Sequence, residues 1–183
     1  MRKLACLLAV LGAPAFAGGL QVEVAGEGAN GTFTIDLFED VAPNHAARLK
    51  QLAAEGAYDN VVFHRVIDGF MAQTGDVEFG KVGADMRRAG TGGSQMDDLN
   101  QEFSDIPYDS AGIVGIARSQ DVNSANSQFF IMFGAYPSLN GQYTVVGKVT
   151  EGQDVVDAIK RGKGRNGAVI GAPDYMKKVT VID

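Results

Sequence analysis

Apolar and polar positions alternate with a period of two over residues 20–24, 32–37, 61–67, 114–117, 128–133, 144–149 and 178–182. That period sends successive side chains to opposite faces, as in strands with one face buried. Two segments change to a helical period. In the first, Pro43 suits an early helical position, Leu49, Leu52 and Ala53 share one face, and Gly56 can close the end. In the second, Thr150 and Gln153 have the spacing of a capping box, Val155, Val156 and Ile159 share a face, and Gly162 is a stop signal. Many short strands with two amphipathic helices fit a mainly β fold, a closed or nearly closed barrel whose openings the helices cover. Residues 79–109 are too polar and glycine-rich for a core strand and read as a long functional or surface loop.

Composition narrows the function. At 183 residues, 45% of them hydrophobic, the chain suits a single domain with a substantial core. Its formal charge of -6, without a basic run, argues against nucleic acid or an anionic membrane surface as partner. The start, MRKLACLLAVLGAPAFAGG, has Arg2 and Lys3, then an apolar run, then Ala15-Phe16-Ala17. It reads as a secretory signal (1–17) cleaved after Ala17, with the working domain at 18–183. The apolar run is far short of the ~20 residues that span a bilayer. Cleavage removes two cations and Cys6, the single cysteine, so no disulfide framework is expected. The destination read from this is secretion, into a bacterial periplasm.

Several chemistries find no support. GDVEFGK (75–81) begins like a phosphate-binding loop, but Val82 stands where a hydroxyl should meet magnesium. GKGRNG (162–167) has dinucleotide-loop spacing without a preceding strand. With His45 and His64 alone and no HExxH spacing, a zinc site would lean on carboxylates. His64 reads as a satisfied core histidine and His45 as solvent-exposed. A Ser-His-Asp hydrolase lacks a GxSxG turn, though composition does not exclude it. Arg65, in the apolar run VVFHRVIDGFMAQTGD, calls for an explanation, because a guanidinium stays ionised and is costly to bury. Alternation puts Phe63, Arg65 and Ile67 on one face, and Met71 and Gln73 join it if the pattern survives Asp68-Gly69. An ion pair with an acid elsewhere would explain the arginine. So would an apolar surface carrying a guanidinium and an amide, suited to an uncharged extended peptide.

The same run resembles the signature of the cyclophilins, the cyclosporin-type peptidyl-prolyl cis-trans isomerases. GIVGIARSQDVNSANSQFFIMF (112–133) and LNGQYTVVGKV (139–149) resemble two further active-site segments of that family, and the likeness covers essentially all of residues 18–183. It implies a closed eight-stranded antiparallel barrel capped by two helices, with the active site in a groove outside the barrel. By the same comparison Arg65 is the catalytic arginine. Phe70, Met71, Phe130 and Leu139 form the pocket for the proline ring, Gln73 contacts the substrate backbone, and Ala117 and Gln128 line the neighbouring groove. Tyr143 replaces a histidine of the animal enzymes and keeps an aromatic wall. Ser138 stands where many eukaryotic members have a tryptophan that binds cyclosporin, so that drug is expected to bind weakly. Arg118 replaces a common asparagine. The implied activity is isomerisation of X-Pro bonds in unfolded or partly folded exported proteins, by a monomer without metal or organic cofactor. A catalytically weak proline-peptide-binding chaperone on the same barrel is the alternative.

Overall fold

The computed structural model describes residues 18–183. The proposed signal segment lies outside them. In chain order the elements are β1 (Gly19–Ala25), β2 (Gly31–Leu37), α1 (Pro43–Ala54), β3 (Val61–Val62), β4 (Arg65–Ile67), β5 (Met71–Thr74), β6 (Ile113–Ile116), β7 (Phe129–Met132), β8 (Val145–Glu151), α2 (Gln153–Asp157) and β9 (Tyr175–Ile182). The strands form one sheet in the order β3-β9-β1-β2-β8-β6-β7-β5-β4, with antiparallel neighbours throughout. Its two edges, β3 and β4, are consecutive in the chain, so the ladder curls until its ends are joined by Phe63 and His64. Counting that interrupted strand once recovers the eight expected.

The interruption has a local cause. The Phe63 amide donates to the Asp174 carbonyl and the His64 carbonyl accepts from Val169, both in the segment between α2 and β9. The Phe63 bond extends the β3–β9 register by one rung, whereas His64 and Arg65 pair with Val169 and Ala168, out of that register, before β4 joins β5. Phe63 is thereby fully buried in the main core, while Arg65 and Ile67 are half-buried outside it. The expected alternation across 61–67 therefore breaks at this step.

Along β7 the pleat divides two apolar clusters: Phe129 and Ile131 enter the barrel interior, whereas Phe130 and Met132 join a second cluster on its outer wall. Met71 of β5 and Val145 of β8 belong to that outer cluster too. A barrel strand normally alternates core with solvent; here both faces are buried, the outer one in the second apolar cluster.

Helix α1 begins with Pro43 and packs Leu49, Leu52 and Ala53 inward, and Gly56 follows in the left-handed conformation (φ 70°). His45, expected at the surface, is 1% exposed because it lies on the inward face of the first turn. The expected capping box of α2 does not form. Thr150 belongs to β8, which runs on to Glu151, and the N-cap is Gly152 at φ 75°. A Cβ there would lie 2.3 Å from the Thr32 carbonyl oxygen. Among the described residues no helix is long and apolar enough to cross a membrane, and no group of three or more His, Cys, Asp or Glu could hold a metal ion.

Candidate active site

Arg65 and Gln73 meet as directly opposed residues of the β4–β5 hairpin, with Ile67 opposite Met71. The turn at Asp68-Gly69, where Gly69 takes φ 70°, folds the chain back. Cross-strand pairing thus puts these residues on one face, rather than an alternation continued through the turn. The Arg65 guanidinium donates from Nε to the Asn166 carbonyl (2.9 Å) and from Nη1 to Gln73 Oε1 (3.1 Å). Gln73 Nε2 donates to Gln128 Oε1 (3.0 Å), and Gln128 Nε2 to the Gly92 carbonyl (2.8 Å). This chain of amides fixes the direction of the arginine. Burial lowers the Arg65 pKa from its usual range, yet a guanidinium stays protonated at any neutral pH. No carboxylate pairs with it among the described residues.

The guanidinium borders a pocket of about 180 Å³. Phe130 and Met71 form its floor, at 5% and 1% exposure, with Phe70 and Leu139 at its sides. The Tyr143 ring stands edge-on to Phe130 at 5.7 Å between centroids. Eight of the nine residues singled out in the sequence line this pocket: Arg65, Phe70, Met71, Gln73, Ala117, Phe130, Leu139 and Tyr143. Gln128 lies in the adjoining cavity of about 510 Å³, which shares Gln73 and Ala117 with the first. Ser138 is exposed in the single-turn helix that carries Leu139.

Residues that sequence reasoning passed over complete the site. Gly115 faces Phe130 across the β6–β7 pair, and Tyr108, fully buried, stacks behind Phe130 at 5.9 Å. Asn166 belongs to the GKGRNG segment; it adopts φ 55°, and its carbonyl is the backstop of Arg65. Those glycines therefore serve a tight turn instead of a nucleotide. GDVEFGK has a structural task as well. Fully buried Asp76 accepts the amides of Glu78, Phe79, Gly90 and Gly92, folding the 79–109 excursion so that Gly90, Gly92 and Ser94 line the wider cavity.

The site therefore offers a fixed cation at the rim of a ring-sized pocket lined mainly by apolar side chains, with an amide beside it, no built nucleophile and no metal-ligand cluster among the described residues. Over residues 20–181 the chain matches the profile of the family described as "Cyclophilin type peptidyl-prolyl cis-trans isomerase/CLD". This chain belongs to the cyclophilin family. Accordingly it is a peptidyl-prolyl cis-trans isomerase. It is 55% identical over 154 residues to a "Probable peptidyl-prolyl cis-trans isomerase" of Brucella suis, covering 83% of this chain and 78% of that one. A "Peptidyl-prolyl cis-trans isomerase-like 1" of Emericella nidulans is 35% identical over 139 residues, 74% and 80% of the two chains. Among solved structures, a Cryptosporidium parvum cyclophilin crystallised in the presence of the dipeptide Ala-Pro superposes with a TM-score of 0.74 at 25% identity, over 90% of this chain and 99% of that one. The cyclophilin barrel explains why the site lies outside: the interior is filled by the main core, whereas the outer wall of β5, β6 and β7 carries the pocket.

Proposed function

We propose that this cyclophilin isomerises X-Pro bonds of exported polypeptides, with Arg65 as its catalytic residue and the Phe70–Met71–Phe130–Leu139 pocket as the seat of the proline ring. Rotation about a peptide bond costs ~18–20 kcal/mol because resonance gives C–N partial double-bond character. Catalysis requires tighter binding of the twisted bond than of either planar form, and no covalent step. On twisting, the prolyl nitrogen loses conjugation and gains a basic lone pair. A guanidinium N–H can donate to that lone pair, an interaction worth more in the transition state than in the ground state. The pocket holds the ring while the preceding carbonyl swings, and Gln73, Ala117 and Gln128 receive the flanking backbone.

The observation that carries this reading is Arg65 itself, aimed by Asn166 and Gln73 at the apolar pocket without a carboxylate partner. Cis/trans exchange of a short X-Pro peptide, followed by NMR with protein beginning at Gly18, tests it. Arg65→Ala should cut kcat/KM about a hundredfold, as expected for a lost donor worth on the order of 3 kcal/mol at the transition state, and leave the fold intact. Peptide shift changes without faster exchange in the unsubstituted protein would leave a proline-binding module in place of an enzyme.

Export is supported by the cationic and then apolar start and by Ala15-Phe16-Ala17 just ahead of β1. The protein recovered from the periplasm should have the mass of a chain beginning at Gly18. Intact Met1 on functional protein in the cytoplasm would refute the export reading.

A further inference from the structure

Two guanidinium groups border the 180 Å³ pocket, and isomerisation uses one. The other, Arg118, follows β6 and lines both this pocket and the 510 Å³ cavity, so it stands on the ridge between them. It is held rigidly. Its guanidinium lies over the Tyr143 ring at 4.6 Å from the centroid. Nε and Nη2 donate to the Gln142 carbonyl (3.3 and 2.9 Å), and Nη1 donates to the Ser119 carbonyl (2.9 Å). All these acceptors are neutral, and no carboxylate pairs with Arg118 among the described residues. A guanidinium has five N–H donors; three are engaged here, which leaves two and an uncompensated charge.

Its surroundings limit what that charge can serve. No acid lines the small pocket. On the wider cavity the single acid is Asp98, which already accepts from Asn126. A proline ring is neutral and needs no second cation. We propose that Arg118 selects substrates carrying Asp or Glu within two residues before the isomerising proline, by pairing that side-chain carboxylate with its two free N–H groups. This rests on reading the adjoining pocket as the proline site. An extended chain advances ~3.3–3.6 Å per residue, so a residue one or two places from a seated proline reaches the ridge. The arginine pays little ordering entropy, because Tyr143, Gln142 and Ser119 already fix it. With a formal charge of -6 the whole molecule repels acidic peptides at long range, so a preference for them must come from a local cation.

The test uses four blocked peptides of one core sequence, with Glu or Gln either immediately before proline or two residues before it. Exchange is measured by NMR at low ionic strength with protein beginning at Gly18, Arg118→Gln and Arg118→Lys. In the unsubstituted protein at least one Glu peptide should exceed its Gln partner in kcat/KM by about fivefold, the upper range for a partly exposed ion pair. Arg118→Gln should bring that ratio to about one, and Arg118→Lys should keep part of it. Taking the ratio within each protein cancels any general loss from loosening the Tyr143 wall. A ratio of one or less for both pairs in the unsubstituted protein overturns the assignment, as does a preference that survives in Arg118→Gln. The Gln peptides report separately on isomerisation. If neither they nor the Glu peptides exchange faster, the isomerase reading of the pocket fails and this inference with it.

Discussion

A Cβ at position 115 would lie 2.3 Å from Phe130 Cζ and 2.4 Å from the Tyr108 hydroxyl oxygen. The floor of the pocket is therefore shaped by a missing side chain: Phe130 lies flat because its cross-strand partner is glycine. Gly115→Ala should tilt that ring into the pocket. Overpacking of this kind costs about 1–3 kcal/mol, and the smaller pocket should lower kcat/KM for an X-Pro peptide roughly tenfold. NMR exchange and a thermal melt read the two effects; unchanged kinetics would mean that Phe130 does not seat the substrate. Arg65 was legible because an ionised group in an apolar run is costly and must have a use. Its backstop was not. The Asn166 carbonyl lies 101 positions away in the chain, and a backbone carbonyl carries no residue-type signature.

At the scale of elements, α1 borrows its cap. Its own N-cap, Ala42, supplies no side-chain hydrogen bond, and Glu102 comes from the 79–109 excursion to accept the amides of Asn44 (3.2 Å) and His45 (3.1 Å), with the Asn44 and His45 side chains also on its carboxylate. Burial pushes the Glu102 carboxyl up, but these hydrogen bonds outweigh it and hold the group below its usual value. Replacement by glutamine keeps the shape and removes the charge from the helix N-terminus. Glu102→Gln should cost about 1–2 kcal/mol, or roughly 3–6 °C in Tm, with most of the isomerase activity retained. A Tm within one degree of the parent would show that the cap is dispensable. This contact also explains why His45 is buried, which a histidine near a helix start does not announce. The strands were readable wherever one face was buried and the other polar. The 61–67 strand and the start of α2 failed because distant backbone, at Ala168 and Val169 for the one and Thr32 for the other, sets the local geometry.

For the whole molecule, barrel closure depends on Phe63 and His64, and His64 carries the acid sensitivity of that closure. It is 8% exposed, and it packs so close to Gly90 that a Cβ there would lie 2.9 Å from the ring. It is buried, as read. Burial lowers its pKa to about 4, with Arg65 adding to the effect and Asp76 and a hydrogen bond with the Val62 backbone opposing it. Between the ordinary value of 6.5 and about 4 the unfolded chain therefore binds a proton that the folded chain refuses, so stability rises with pH across this window. Acidification from pH 6.5 to 4 should remove about 3 kcal/mol through this group. Glu102 and Asp59, both lowered, add to the loss at more acid pH, while Asp36, raised by burial, works in the opposite sense. Denaturant unfolding of His64→Gln at a series of pH values should show a flatter slope from 6.5 to 4, whatever its stability at pH 7. An unchanged slope would place the acid sensitivity in other groups.

The amino-acid order by itself determined both helices and seven strand segments, without β5 and without the break between β3 and β4, and it singled out an arginine among apolar residues. Those are local properties: a period of two or 3.6, and the cost of an ionised group beside apolar ones. Tertiary structure alone decided where β3 gives way to β4, which faces of β7 enter the core or the pocket, and which distant groups aim Arg65, floor the pocket with Phe130 and cap α1. Each of these depends on atoms brought together from 15 positions apart, Gly115 and Phe130, to 111, Phe63 and Asp174. No local pattern records such pairings, because it is the closing of the barrel that creates them.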